Sequence, residues 1–244
     1  MWAIADLHLS FGVQGKSMDV FGPAWKNFTE KIEKKWKALV KDDDLVLIAG
    51  DISWAMKLDD VLPDLAWIDA LPGKKILLKG NHDYWWPSNA KLKNILPSSI
   101  DFIQGNALVW NGVAIGGARL WDTPEFNYNA HIDFIDNPSA KEKIKDADET
   151  RRIFTRDLQR LENSLKQLDP TAKTRIALTH YPPIGPQMQP TTVSKILENY
   201  EIDICLFGHL HNLKKDSKLF GEMDGINYIC TAADYIDFTP VKVM

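Results

Sequence analysis

The chain has no apolar run longer than about one strand, far short of the ~20 residues a membrane-spanning helix needs, so no helical membrane span is expected. Cysteine is scarce: Cys205 and Cys230 both sit in apolar stretches and read as buried core thiols, with no disulfide framework behind them. Charge of one sign is scarce too. A net charge of −4 gives the whole molecule no attraction to nucleic acid or anionic membrane. The start of the chain lacks a basic segment followed by a long apolar one, so no cleaved leader is expected and the cytoplasm is the expected compartment. There is no internal repeat and no domain-dividing linker. Residues 1–244 therefore read as a single domain, long enough to bury a substantial core.

What is present is a repeated association of short apolar runs with metal-competent side chains. Asp6 and His8 follow Trp2-Ala3-Ile4-Ala5, and Asp51 follows Leu45–Gly50. Asn81 and His82 follow Ile76–Gly80, His180 follows Ile176–Thr179, and His209 and His211 follow Ile204–Gly208. Strands of an α/β sheet deliver ligands and catalysts at their carboxyl ends, and five candidate strands here end this way. Asp6 and His8 are two apart, as are His209 and His211, so in an extended segment each pair points to one side. Gly50, Gly80 and Gly208 each precede one of these positions, where a missing side chain lets backbone approach a crowded polar centre.

Between the motifs the pattern is β-α-β-α-β, which signals a parallel sheet. Residues 24–40 place Phe28, Ile32, Trp36 and Leu39 or Val40 at helical spacing, with Glu30–Lys34 and Glu33–Lys37 pairs outside. A second helix over 59–70 stops at Pro72-Gly73. Ala107–Trp110 and Val113–Ile115, joined by Asn111-Gly112, predict a hairpin. Residues 122–146 are polar and irregular and read as an insertion beside the site. Residues 147–168 carry one apolar stripe, Phe154, Leu158, Leu161, Leu165 and Leu168, and predict a helix.

Asp, His and Asn donors without thiolate suit Mn, Fe, Zn, Co or Ni, with Mn the first choice, rather than a Ca or Mg cage. Some seven protein ligands are too many for one catalytic ion and about right for two. With one carboxylate bridging, each ion receives four and a shared water has room. Such pairs sit roughly 3.5–4 Å apart and clamp the attacking and leaving oxygens of an in-line displacement, the activated water being the nucleophile. No serine or cysteine nucleophile is required.

These residues resemble a known family. Asp6-x-His8, Gly50-Asp51, Gly80-Asn81-His82-Asp83, His180 and Gly208-His209-x-His211 match, in order, the five motifs of calcineurin-like metallophosphoesterases, from residue 6 to residue 211. The resemblance implies a four-layer α/β/β/α sandwich and hydrolysis of a phosphate monoester or diester. It implies that Asp6, His8, Asp51 and His211 hold one ion, and that Asp51, Asn81, His180 and His209 hold the other, with Asp51 bridging. By the same resemblance His82 faces the substrate, as proton donor or phosphate binder.

One departure matters. Family members that act on proteins continue the second motif with an acidic residue and a phosphate-gripping arginine, whereas Asp51 is followed by Ile52-Ser53-Trp54-Ala55-Met56. Arg119, after Gly116-Gly117-Ala118, is the candidate replacement, with Trp121 in the same wall. Asp83 is expected to orient a histidine. Tyr84-Trp85-Trp86 is a candidate stacking rim, and His131 reads as structural. The expected substrate is a small or medium phosphate ester, nucleotide-like ones included. A nuclease of the same fold is disfavoured by the net charge, and a non-catalytic protein-binding scaffold by the retention of every ligand and of His82.

Overall fold

A computed structural model describes residues 1–134, 146–214 and 219–244. The first half forms β1 (Trp2–Ile4), α1 (Phe28–Leu39), β2 (Leu45–Ile48), α2 (Leu58–Asp69), β3 (Lys74–Leu78), α3 (Asn89–Ile95) and β4 (Ile100–Ile103). The second half forms β5 (Leu108–Trp110), β6 (Val113–Ala118), α4 (Ala147–Leu165), β7 (Thr174–Thr179), α5 (Thr192–Asn199), β8 (Ile204–Phe207), β9 (Glu222–Met223), β10 (Ile226–Cys230) and β11 (Val241–Lys242). Strands order as β11-β1-β2-β3-β4 in one sheet and β5-β6-β7-β8-β10-β9 in the other. The central strands of each sheet pair in parallel, so their carboxyl ends share one edge.

The two sheets face each other, and helices cover both outer faces. Ala3, Leu45, Leu47, Ile76 and Leu78 of the first sheet meet Ile115, Ile176, Leu178 and Leu206 of the second in the middle layer. The alternate residues Ile4, Val46, Ile48 and Leu77 turn outward onto Ile32, Trp36, Leu65 and Ile68 of α1 and α2. Ala177, Cys205 and Phe207 do the same towards α4 and α5. The period-2 alternation of strands buried on both faces therefore builds the expected α/β/β/α sandwich. Both cysteines are buried and free.

Local chemistry accounts for the element boundaries. α1 begins at Phe28 rather than 24 because Pro23–Trp25 forms a separate 3-10 turn and Asn27 adopts a left-handed conformation (φ 52°) between them. Asn111 and Gly112 both have positive φ (48° and 79°), as a two-residue hairpin turn requires. The hairpin forms with Trp110 opposite Val113, and β6 runs on to Ala118. Of the insertion expected over 122–146, residues 135–145 lie outside the described residues.

The end of β6 is tied down by α4. Gly117 has φ 154°, and a Cβ there would sit 1.9 Å from the Leu178 carbonyl oxygen, so the position admits only glycine. The buried Ser164 hydroxyl accepts from the Gly117 N–H (2.8 Å) and donates to the Asn106 carbonyl (2.6 Å). Ser164→Ala strands the buried Gly117 N–H and unpairs the half-buried Asn106 carbonyl, and is expected to cost about 1–3 kcal/mol. The urea midpoint should fall at unchanged m-value; an unchanged midpoint would show that the two groups find other partners.

Candidate metal centre

The donor side chains gather at the shared carboxyl edge, but not by the extended geometry that their spacing predicts. β1 stops at Ile4, and Asp6 and His8 have φ of 58° and 44°. Asp51 (φ 50°) and His209 (φ 72°) are also left-handed. Non-glycine residues rarely adopt this region, and the strain is typical of sites whose surroundings over-determine the backbone. Hydrogen bonds supply that determination: the N–H groups of Asp6 and His8 donate to the carbonyls of Gly50 and Asp51 (both 2.9 Å), and the His209 N–H donates to the Asp6 carboxylate (2.9 Å).

Glycine is required at two of these approaches. A Cβ on Gly80 would lie 2.0 Å from the Asp51 carboxylate, and one on Gly208 would lie 2.4 Å from that of Asp6. The chains can therefore close around the carboxylates only where the side chain is absent.

Asp6, His8, Asp51, Asn81, His180, His209 and His211 come together in one pocket. One Asp51 oxygen lies 3.4 Å from His180 Nε2 and 3.7 Å from His8 Nε2. Asn81 Oδ1 lies 2.7 Å from His180 Nε2 and 2.9 Å from His209 Nδ1. His8 and His211 bring their Nε2 atoms to 3.2 Å, with Asp6 Oδ1 3.7 Å from His211. Two groups could each hold an ion, Asp6-His8-His211 and Asp6-Asp51-His180, with donor atoms within 4.8 Å of one another. Asp6 belongs to both groups by distance, and Asp51 faces a histidine on each side.

The rings are oriented by partners on their far nitrogens. His180 Nδ1 donates to the Ala49 carbonyl (3.0 Å), and His211 Nδ1 bonds the Asp234 carboxylate (2.8 Å). Each Nε2 is thus left to carry a proton or an ion. Asp234 was not foreseen, although it follows the strand-like run Ile226–Thr231 just as the other donors follow theirs. Trp54 stacks on the His8 ring (4.9 Å between centroids) and overhangs His82 at 4.4 Å.

His82 stands beside the donors and belongs to neither group. Its N–H donates to Asp51 (2.8 Å), and its Nδ1 is buried with no partner among the described residues. Asp83 orients no histidine among the described residues. Its carboxylate instead accepts from the N–H groups of Gly80 (2.7 Å), Ile52 (2.9 Å) and Ser53 (3.1 Å) and from the Trp85 indole (3.0 Å), lacing the two motif loops together. Arg119 pairs with buried Asp157 (2.9 Å) and lies over Trp121 (4.6 Å). It lines a cleft together with Lys79, Arg156 and Arg160. Of the predicted aromatic rim only Tyr84 is exposed, since Trp85 and Trp86 pack into the core. His131 ends a 3-10 turn and belongs to neither donor group, its carbonyl accepting from the Lys214 N–H (2.9 Å).

Burial dominates the electrostatics. It raises the Asp6 carboxyl to about 7, against the pull of His211 and His180. It would raise Asp51 as well, but His180 and His8 alongside hold that carboxyl well below its ordinary value. Burial lowers His8 to about 3 and pushes His82 down. It also opposes charge on His180 and His211, yet Asp51 beside the first and Asp234 beside the second raise both to about 9.

Comparison with known proteins places these features in context. The profile of the family described as calcineurin-like phosphoesterase matches residues 1–213. The Gene 66 protein of Mycobacterium phage L5 is 33% identical over 95 residues, covering 36% of this chain and 42% of that protein. Thus the matched stretch spans less than half the length of that curated relative. Among solved structures, a phosphopantetheinyl hydrolase from Mycobacterium tuberculosis superposes with a TM-score of 0.55 at 17% identity, over 95% of this chain and 88% of that one. A protein of unknown function from Aquifex aeolicus gives a TM-score of 0.51 at 16% identity, over 99% and 94%. At these identities the structures show the likeness of fold.

The protonation pattern predicts how metal uptake depends on pH. Without metal, His180 and His211 keep their extra protons until pH passes about 9, and Asp6 keeps its proton to about 7. An ion needs these groups deprotonated. Loading with Mn²⁺ at pH 7 should therefore release protons, and apparent affinity should climb as pH rises from about 6 to about 9. Calorimetric titration in two buffers of different ionisation enthalpy measures the release. Heats independent of the buffer would show that the donors were already proton-free.

Proposed function

The chain belongs to the calcineurin-like phosphoesterase family, and from that premise we propose that it is a two-metal phosphoesterase acting on a small or medium phosphate ester, monoester or diester. The observation that carries this reading is the Asp51 oxygen standing between His8 and His180, with Asn81 Oδ1 between His180 and His209. Asp51 is assigned as the bridge. Asp6, His8 and His211 complete one site, and Asn81, His180 and His209 the other. Bound there, two divalent ions, Mn²⁺ first among the candidates, supply an activated water as nucleophile and neutralise phosphoryl charge.

The chain's own groups do the rest. The Asp234 carboxylate and the Ala49 carbonyl fix the ring orientations of His211 and His180. Asp83 holds the Asp51 and Asn81 loops in register through backbone N–H groups. Trp54 covers His8 and excludes water from that side. His82, next to the donors and outside both groups, is assigned to the leaving-group oxygen as a proton or hydrogen-bond donor. Residues 1–244 are read as one domain with 122–146 as an insertion, and two buried free thiols support a reducing, cytoplasmic setting.

Purified protein should carry two equivalents of transition metal and hydrolyse aryl phosphates. A metal-free protein inert toward aryl monoesters and diesters would sink the reading. Asp51→Asn should empty both sites, because a neutral amide cannot supply the bridging charge; retention of two ions with near-normal turnover would disprove the bridge. His82→Ala should keep its metal while turnover falls roughly 10²–10⁴-fold. That loss should shrink for nitrophenolate, which leaves without protonation, and an equal loss on good and poor leaving groups would assign His82 to phosphate binding instead.

A further inference from the structure

Beside the donor pocket, the same edge of the sandwich carries a second, strongly cationic cleft of about 470 Å³. Its walls are the carboxyl ends of β3, β4 and β6 and the facing side of α4. Lys79 follows β3 directly, and two residues of chain put it within about 7 Å of Asn81, Cα to Cα. Arg119 follows β6 directly, and its carbonyl accepts from the N–H of His180 (3.1 Å). The cleft and the donor pocket are therefore built on the same loops.

Arg156 and Arg160 complete the wall from α4. Among the lining residues the one carboxylate is Asp157, 1% exposed, which accepts from Arg119 (2.9 Å), Arg160 (2.9 Å) and Arg156 (3.3 Å). It fixes three guanidinium groups but cancels one charge. A guanidinium has five N–H donors, so most donors on the three arginines remain for another acceptor. Half-buried Lys79 makes no ion pair among the described residues. With Asp157 offsetting only one of the four positive charges, the cations still repel one another unless a further anion joins them, and arginine forks match phosphate oxygens in pairs. Buried Trp86 closes the cleft with an apolar surface.

We propose that this cleft binds a second phosphate of the substrate, so that the ester cleaved next door belongs to a doubly phosphorylated small molecule. This rests on the phosphoesterase reading of the donor pocket. Arg119 then grips the phosphate that is retained rather than the one attacked.

A series of alkanediol bisphosphates of increasing length, each paired with the alkyl monophosphate of the same chain, tests the idea by calorimetry on the Mn²⁺-loaded protein. At the best length the bisphosphate should bind roughly tenfold tighter or more. Arg156→Gln/Arg160→Gln should largely remove that advantage. Both side chains are half exposed, and the wild-type comparison stands without the variant. Arg151→Gln/Arg152→Gln, the same charge change at exposed positions of α4 outside the cleft, should keep the advantage. Equal affinities at every length, or an advantage that survives loss of Arg156 and Arg160, would overturn the proposal. Tighter monophosphate binding on adding inorganic phosphate would make the cleft a free-anion site and overturn it too. Aryl-ester hydrolysis by the same preparation separates the two readings. Inertness there removes the phosphoesterase reading and the substrate assignment with it, whereas turnover without a bisphosphate advantage removes the cleft alone.

Discussion

Asp6 and Asp51 are buried carboxylates in a pocket whose other donors are four imidazoles and the Asn81 amide. Taking an ionised carboxylate out of water costs more than most single contacts return, unless opposite charge lies close by. No lysine or arginine pairs with either of them among the described residues; the near partners are His8, His180 and His211. An arginine would compensate permanently. Histidine compensates only while it holds a proton, and its lone pair serves an ion once the proton leaves. The pocket thus balances its charge with something exchangeable, and the chemistry of the centre follows from that choice.

The same constraint shapes the backbone around it. Loops must crowd onto the carboxylates closely enough to donate N–H groups, so side chains vanish at Gly80 and Gly208 and the backbone turns left-handed at Asp6, His8, Asp51 and His209. Such conformations cost of order 1–3 kcal/mol each and persist only where neighbours enforce them. Asp83 is one enforcer, joining the loop after β2 to the loop after β3 with one carboxylate.

Much of this was legible because each strand announces its own end. Apolar runs of strand length closed by Asp, Asn or His pointed to a parallel sheet and to the side chains that gather at its carboxyl edge, and Asn111-Gly112 to the hairpin. The geometry of convergence was not legible, since a spacing of two reads as extended and nothing local marks Asp6 or His209 as left-handed. Partners from distant elements were hidden for a similar reason. Asp234 lies 23 residues beyond His211, and Asp157 sits on the apolar stripe of α4, where its burial depends on the three arginines that meet it. Trp85 and Trp86 looked like a rim because they follow a motif, but the core beneath α3 claims them.

The donor set is divided between the two sheets: Asp6, His8, Asp51 and Asn81 stand on one side, and His180, His209 and His211 on the other. His8 and His211 meet across a separation of 203 residues. Closing contacts of that range is slow, because the loop entropy is spent before the contact forms. Each group that could hold an ion, Asp6-His8-His211 and Asp6-Asp51-His180, draws on both halves, so capture of an ion by either would be a late event in folding that reports the docking of one sheet on the other. Transition metal supplied too early would meet the loose histidines of the second half, stabilise the unfolded chain, and delay the assembly it later locks.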